Sequence, residues 1–478
     1  MRQFNQLILL SVVLTLILQP LIFAQGNTSD ATRKFAAVGP TEPPEKLERS
    51  QMRGAVKVTF DLLPTSMTFN LPWNYCMVSE NGIKISNFAA ETYDPRDFDG
   101  TGGAASFEPG MDREGRYVRA WIEHQSDARI VVRVSYALNN NLYDIAHPDI
   151  YSGSPYGKGD WADEWFYIYP DATHIRHMRV YTGTAPVSRP FGWDRTPPKV
   201  VHEFMEHVVI GPEGHKPTDD IEIDALTLIR LMGDHVGFFY PEGKSTRISW
   251  DPYPDDFGEF RDANIMFLHI KSEYKPFLIG MPYGVRVQPY TAEDDLPHVF
   301  QTWGYNPDRE HDAYYAAIGH MLNYWHYRRT DTTIEQIYFH GMTNTDDPVK
   351  ELVPLAWSWI DPPKLEIEGL EPDYDKFPFD PAQKAYTIDW KQDQSELEFE
   401  LSTEADLMDV PTSIVNPAFV VKGWGDSPVE LEIDDKIIEP GTDYRIGYEK
   451  NETGTDLILW LKLETKESLN IWLRRGKN

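Results

Sequence analysis

Short runs in which apolar and polar residues alternate recur along most of this chain, with turn-forming residues between them. A period of two places successive side chains on opposite faces of a strand. The pattern predicts strands at 55–62, 74–81, 117–124, 130–138, 202–210, 225–231, 265–270 and 336–343. Between the fourth and fifth lies 161–183, WADEWFYIYPDATHIRHMRVYTG, which reads as a hairpin turning at Pro170-Asp171. Alternation puts Trp165, Tyr167 and Tyr169 on one face and Phe166 and Ile168 on the other. On the return strand His174, Arg176 and Met178 share a face, and Ile175, His177 and Arg179 share the opposite one. Next, His202 lies with Phe204 and Glu206, and Glu203 with Met205 and His207. Buried unpaired, such groups are costly. They face an open groove that handles a polar ligand, or they form a satisfied internal network; the groove is the expectation adopted.

Long amphipathic helices are nearly absent. One segment departs from the strand pattern: 312–327, DAYYAAIGHMLNYWHY, has apolar and aromatic residues at helical spacing and reads as a helix, the alternative being an aromatic strand pair. The fold class expected is mainly β, a large antiparallel, jelly-roll-like sandwich over 54–363. After the acidic, proline-bearing stretch at 366–381, strands at 397–401, 418–422, 429–433, 457–463 and 469–474 predict a small immunoglobulin-like sandwich within 364–478.

Arg2, an apolar run over 7–23 and Ala24-Gln25 read as an export signal over 1–24, followed by a polar linker over 25–53. The expected location is therefore secreted or periplasmic, with no membrane attachment after cleavage. Cys76 is the single cysteine, so no intrachain disulfide forms. The formal net charge of -30 disfavours nucleic acid and anionic membranes as partners. An anionic substrate then needs local Arg and His to overcome that background. The 14 tryptophans and 25 tyrosines fit sugar stacking, and equally an aromatic β core.

Asp94, Asp97 and Asp99 with Gly100 offer oxygens for Ca²⁺, or form a solvated turn. The run from His202-Glu203 to Glu206-His207 lacks the spacing of a zinc helix, and no metal is assigned to it. In 308–311, Arg309 suits a carboxylate clamp and His311 a proton shuttle; a capped, acidic helix start explains the neighbouring acids as well. No G-x-S-x-G elbow is present, and Cys76 has no neighbouring His motif, so serine or cysteine hydrolysis is unsupported.

The run from Trp161 to Asp171 leading to Arg176, His202-Glu203 with 211–214 GPEG, 339–343 FHGMT and 416–425 NPAFVVKGWG resemble a family of exported bacterial polysaccharide-degrading proteins that includes endo-acting ulvan lyases. The resemblance runs along most of the mature chain. It implies β-elimination on a uronate-containing acidic polysaccharide, with no cofactor. Where the family pattern has Gly in the hairpin turn, this chain has Ala172.

Elimination requires a group that neutralises the uronate carboxylate, a base for the α-proton and an acid for the leaving oxygen. Arg176 is the expected carboxylate partner, His202 the base, Tyr167 or Tyr169 the acid, and Glu203 or Glu206 the residue that orients a histidine. Trp165, His174, Arg309 and His311 are the expected substrate contacts. The rival readings are a glycoside hydrolase with paired carboxylates and a non-catalytic glycan-binding protein.

Overall fold

The computed structural model describes residues 34–42, 56–69, 75–88, 90–93, 106–112, 114–140, 142–182, 200–212, 214–239, 262–282, 285–292, 315–323, 327–367, 378–390, 395–403 and 413–476; of 87–88, 91–93, 106, 200–206, 239, 285–292, 315, 317, 320 and 322–323 it describes the backbone alone. The expected export signal lies outside these residues, as do Asp94, Asp97, Asp99, Arg309, His311 and the side chains of His202, Glu203 and Glu206. The expected linker is described at 34–42, where it is instead a strand, Ala36–Val38, with Phe35 and Ala37 in the core. Lys34–Asn478 form one compact unit.

Two ten-stranded sheets form the large sandwich. The first runs Ala36–Val38, Val56–Thr59, Ser66–Phe69, Cys76–Val78, Lys84–Phe88, Val200–Ile210, Tyr315–Asn323 and Val285–Ala292, with two short strands alongside. The second runs His235–Phe239, Ile221–Ile229, Ile265–Ile270, Lys275–Ile279, Thr333–Thr343, His174–Tyr181, Trp161–Ile168, Ile130–Ala137 and Arg119–Gln125, with Arg328–Arg329 against Thr333–Thr343. The strand pairings in both are antiparallel. Between the sheets lies one apolar core that includes Val58, Phe69, Ile85, Ile318, Val132, Phe166, Met178 and Leu268.

The segment expected to be a helix is the strand Tyr315–Asn323, and it is an interior one, paired on both sides. Ala316, Ile318 and Met321 are buried. A register shift opposite His207–Val208 leaves an extra residue between Ala317 and Gly319, so Ala316, Ile318 and Met321 reach the same core at spacings of two and three, which mimics helical spacing. The longest helix among the described residues, Pro348–Ile360, was missed in sequence. Asp347 caps it by accepting from the Lys350 backbone N–H at 3.1 Å, and Pro348 occupies the first turn. Leu352, Leu355, Ala356 and Trp359 mark its buried stripe.

That stripe covers the outer face of the second sheet, where Ile175, Phe277, Ile337 and Phe339 point away from the main core. The same apolar cluster continues into two five-stranded sheets built from 364–475, among them Leu397, Phe399, Phe419, Leu459 and Leu473. Polar groups add to the junction. Arg129 donates to both carboxylate oxygens of Glu449, at 2.9 and 2.6 Å, and to Gln383 Oε1 at 2.8 Å. The tail is thus a third and fourth layer on the sandwich.

Candidate active site

The hairpin of 161–181 has the expected alternation, closed by a turn in which Ala172 takes φ +61°. The face expected to be open is the sealed one. Arg176, 2% exposed, donates through Nε and a terminal nitrogen to the two oxygens of Glu164, both at 2.7 Å. Tyr136 donates to the same carboxylate at 2.5 Å. His174 is fully buried; its Nε2 meets the Tyr75 hydroxyl at 2.5 Å, and its ring stacks on His340 at 5.1 Å. Burial drives the His174 imidazole down to about 3 and so keeps it neutral. Arg176 cannot clamp a substrate carboxylate from here, nor can His174 touch a polymer. Both form part of the internal polar network that was the alternative reading.

Two further expectations change for the same reason. Tyr169 is 2% exposed, and its hydroxyl donates to the Gln383 carbonyl at 2.6 Å, with burial pushing it up to about 12. It is a strut between layers, not an acid facing solvent. Tyr167 is half-buried under the tail with the Arg129 guanidinium 5.3 Å from its ring, and burial raises its phenol. The backbone of His202 and Glu203 belongs to the first sheet, whereas Arg176 belongs to the second.

On the opposite face Arg133, Trp165 and Arg179 are partly exposed, whereas Asp163, His177 and Glu335 beside them are buried. Strand register builds two adjacent cross-strand rows there. One row is Trp121, Arg133, Trp165, His177 and Ile337. The next is Arg119, Ser135, Asp163, Arg179, Glu335 and Arg328. Five inter-strand steps of about 4.8 Å make the second row about 24 Å long. One residue pair further toward the turn, the same face becomes apolar (Val131, Tyr167, Ile175 and Phe339) and passes beneath the helix and tail. The polar rows begin where that cover ends.

Trp165 sits at the centre, half-exposed. The guanidinium carbons of Arg133 and Arg179 lie 4.7 and 5.3 Å from its ring, and the His177 imidazole stacks on it at 5.4 Å. Asp163, fully buried, accepts from Arg133 at 2.8 Å, from Tyr156 at 2.5 Å, from Tyr181 at 3.2 Å, and from Ser135. Glu335 accepts from Arg179 Nε at 2.8 Å and meets His177 Nε2 at the same distance. Burial pushes the Glu335 carboxyl up, but the His177 and Arg179 contacts outweigh it and hold it below the usual range. Burial raises the phenols of Tyr156 and Tyr181, and Asp163 beside them raises them further.

With Nε2 directed at Glu335, His177 keeps Nδ1 without a partner among the described residues. The arginines use one or two donors each on these carboxylates and retain others at 23% and 33% side-chain exposure. In a chain of formal charge -30, four arginines in two neighbouring rows form a local cationic strip. Sequence reasoning placed Trp165 at the site but missed Arg133, Asp163, His177, Arg179 and Glu335 as a group. The available signal was a lone charge inside an otherwise apolar strand: Arg133 in IVVRVSYA and Glu335 in TIEQIYFHGMT.

No protein-family model matches the chain, and no curated protein matches its sequence. Among solved structures, a galactose 1-epimerase from Lactobacillus acidophilus NCFM aligns with 65% of this chain and 99% of its own, at 6% identity and a TM-score of 0.29. A xanthan lyase from Paenibacillus aligns with 93% of this chain at 6% identity and a TM-score of 0.30; this chain spans 38% of that one. Neither likeness carries a family or an activity across.

Proposed function

We propose that this protein is a polysaccharide lyase that cleaves a uronate-containing, ulvan-like acidic polysaccharide by β-elimination on the outer face of its second sheet. The observation that carries the reading is the arrangement around Trp165: two guanidinium groups beside one half-exposed indole, with a carboxylate-oriented histidine stacked on it. The motif resemblance to ulvan lyases points the same way.

The indole supplies an apolar platform for a sugar ring. Free N–H donors of Arg133 and Arg179 bind the uronate carboxylate, and neutralising that charge makes the adjacent C–H acidic. His177 Nδ1 takes the proton while Nε2–H stays on Glu335, which stabilises the imidazolium that forms. The electron pair closes a carbon–carbon double bond as the glycosidic oxygen leaves. Tyr181, half-exposed and kept protonated by its raised phenol, gives that oxygen its proton. A hydrolase would need a carboxyl group held protonated at neutral pH. Glu335 is shifted the other way, and Asp163 is sealed beneath arginine and tyrosine.

The test is to incubate the protein with ulvan and other acidic polysaccharides and follow ultraviolet absorbance and reducing ends together. A lyase raises both. A rise in reducing ends alone would replace the reading with hydrolysis. Retardation of the polymer in an affinity gel without cleavage would leave only glycan binding.

A further inference from the structure

The His177 imidazole touches a second ring besides that of Trp165. Tyr327 stands edge-on to it, with centroids 5.8 Å apart and planes at 88°, whereas Trp165 is stacked on it at 5.4 Å and 29°. The contact of Nε2 with Glu335 fixes one ring atom and leaves the imidazole free to swing about it. One stacked and one edge-on aromatic ring remove that freedom. Glu335 is common to both sides of the arrangement, because its carbonyl accepts from the Tyr327 N–H at 2.8 Å.

Tyr327 is held in turn from the tail. Its hydroxyl donates to Asp380 Oδ1 at 3.2 Å and accepts from a terminal nitrogen of Arg328 at 3.1 Å. Asp380, in the short tail strand Phe379–Asp380, is itself anchored. It accepts from the Ala382 N–H at 3.0 Å and from Gln383 Nε2 at 2.8 Å, and Gln383 is the residue that Arg129 reaches. A continuous line of contacts therefore joins the Arg129–Glu449 junction to the imidazole. Burial, and then the neighbouring Asp380, push the Tyr327 phenol up to about 12, so its hydroxyl stays a donor at neutral pH.

We propose that Tyr327 is the positioning residue of the His177 base and that the tail, through Asp380, is part of the active site; this rests on the function proposed above. Proton abstraction depends on where Nδ1 points. An imidazole free to tilt loses turnover, while the arginines and Trp165 still bind the polymer.

The test joins turnover on an acidic polysaccharide with the ring-proton signal of His177, read in protein carrying isotope-labelled histidine and assigned by its absence from His177→Gln. Stacking on Trp165 shifts that signal upfield in wild type. Tyr327→Leu keeps apolar packing and removes the ring edge: kcat falls about 10- to 100-fold, KM stays within about two-fold, and the signal moves downfield or broadens. Tyr327→Phe keeps the ring and loses the tether, and kcat falls only about five-fold, the size of one net hydrogen bond. Asp380→Ala, acting from the tail, lowers kcat by a similar factor and moves the same signal.

An unmoved signal in folded Tyr327→Leu overturns the positioning role. Wild-type signal and turnover in Asp380→Ala overturn the part given to the tail. A wild type that cleaves no acidic polysaccharide, with the signal moving as described, overturns the proposed function and leaves the contact standing.

Discussion

Asn416 Nδ2 donates to Asp171 Oδ2 at 2.7 Å, joining the hairpin turn to a tail residue 245 positions later in the chain. Asp171 also accepts from the Thr173 backbone and hydroxyl at 3.1 and 2.7 Å, and Asn416 Oδ1 accepts from Leu463 N–H at 3.0 Å. The two residues come from separate sequence motifs, 161–171 and 416–425, that share no local signal. Their meeting shows why both matter. The turn of the hairpin is held by the tail.

Asn416 also holds φ +43°, a region that Asn tolerates far better than most residues. Asn416→Ala therefore loses two hydrogen bonds and strains the backbone, at a cost of about 2–3 kcal/mol. Urea unfolding measures it. A loss below about 0.5 kcal/mol, the level of an ordinary surface change, contradicts the latch.

The Arg129–Glu449 pair makes a sharper energetic prediction. Both side chains are at least nine-tenths buried. Removing only one partner, as in Glu449→Ala, strands the Arg129 charge and costs about 3–5 kcal/mol, whereas replacing both with apolar residues of similar volume recovers most of that. Thermal or urea unfolding of the single and double variants distinguishes the two outcomes. Equal losses in both would show that the pair acts through packing alone.

Three imidazoles between the sheets make folding sensitive to acid. Burial holds His174 and His207 at about 3 and His340 well below its ordinary value, with His174 and Arg176 near His340 adding to the shift. Neither ring nitrogen of His207 or His340 has a protein partner among the described residues. The unfolded chain takes up these protons below about pH 6.5 and the folded chain does not. Stability is therefore intact above that pH and declines as pH falls from about 6.5 toward about 3, by about 1.4 kcal/mol per pH unit for each histidine. Replacing His207 with Leu should raise stability at pH 5 and reduce the slope by one proton. An unchanged slope would exclude His207 from the effect.

A fourth prediction concerns the loop that delivers Tyr156 to Asp163. His147 sits at φ +53°, and its Nδ1 meets Asp160 Oδ2 at 2.8 Å, both residues being buried. Asn tolerates that conformation and still offers a donor; Gly tolerates it and offers none. His147→Asn should keep most of the stability, and His147→Gly should lose about 1–3 kcal/mol through the hydrogen bond that Asp160 loses. Equal stability of the two variants would mean that the backbone conformation, not the hydrogen bond, is what His147 contributes.

Much of the architecture was legible because strand alternation is local. The strands Ile265–Ile270, Ala418–Lys422 and Val429–Ile433 fall where the pattern put them. The interior strand Tyr315–Asn323 was not, since a register shift between Ala317 and Gly319 breaks its alternation. At the hairpin, alternation sorted the side chains correctly but could not say which face met solvent. Both faces carry arginine and histidine, so polarity gave no sign. Nor could sequence assemble the site: Arg133, Trp165, His177 and Glu335 come together only through the register of four strands.

In the proposed reaction the partly exposed side of this hairpin acts, with His177 as base. The direct measurement is turnover of an acidic polysaccharide by His177→Gln, which retains a side chain able to reach Glu335 but has no basic nitrogen. The expected kcat is lower by about 10²–10⁴, with polymer binding and thermal stability near those of wild type. Full turnover by folded His177→Gln contradicts it.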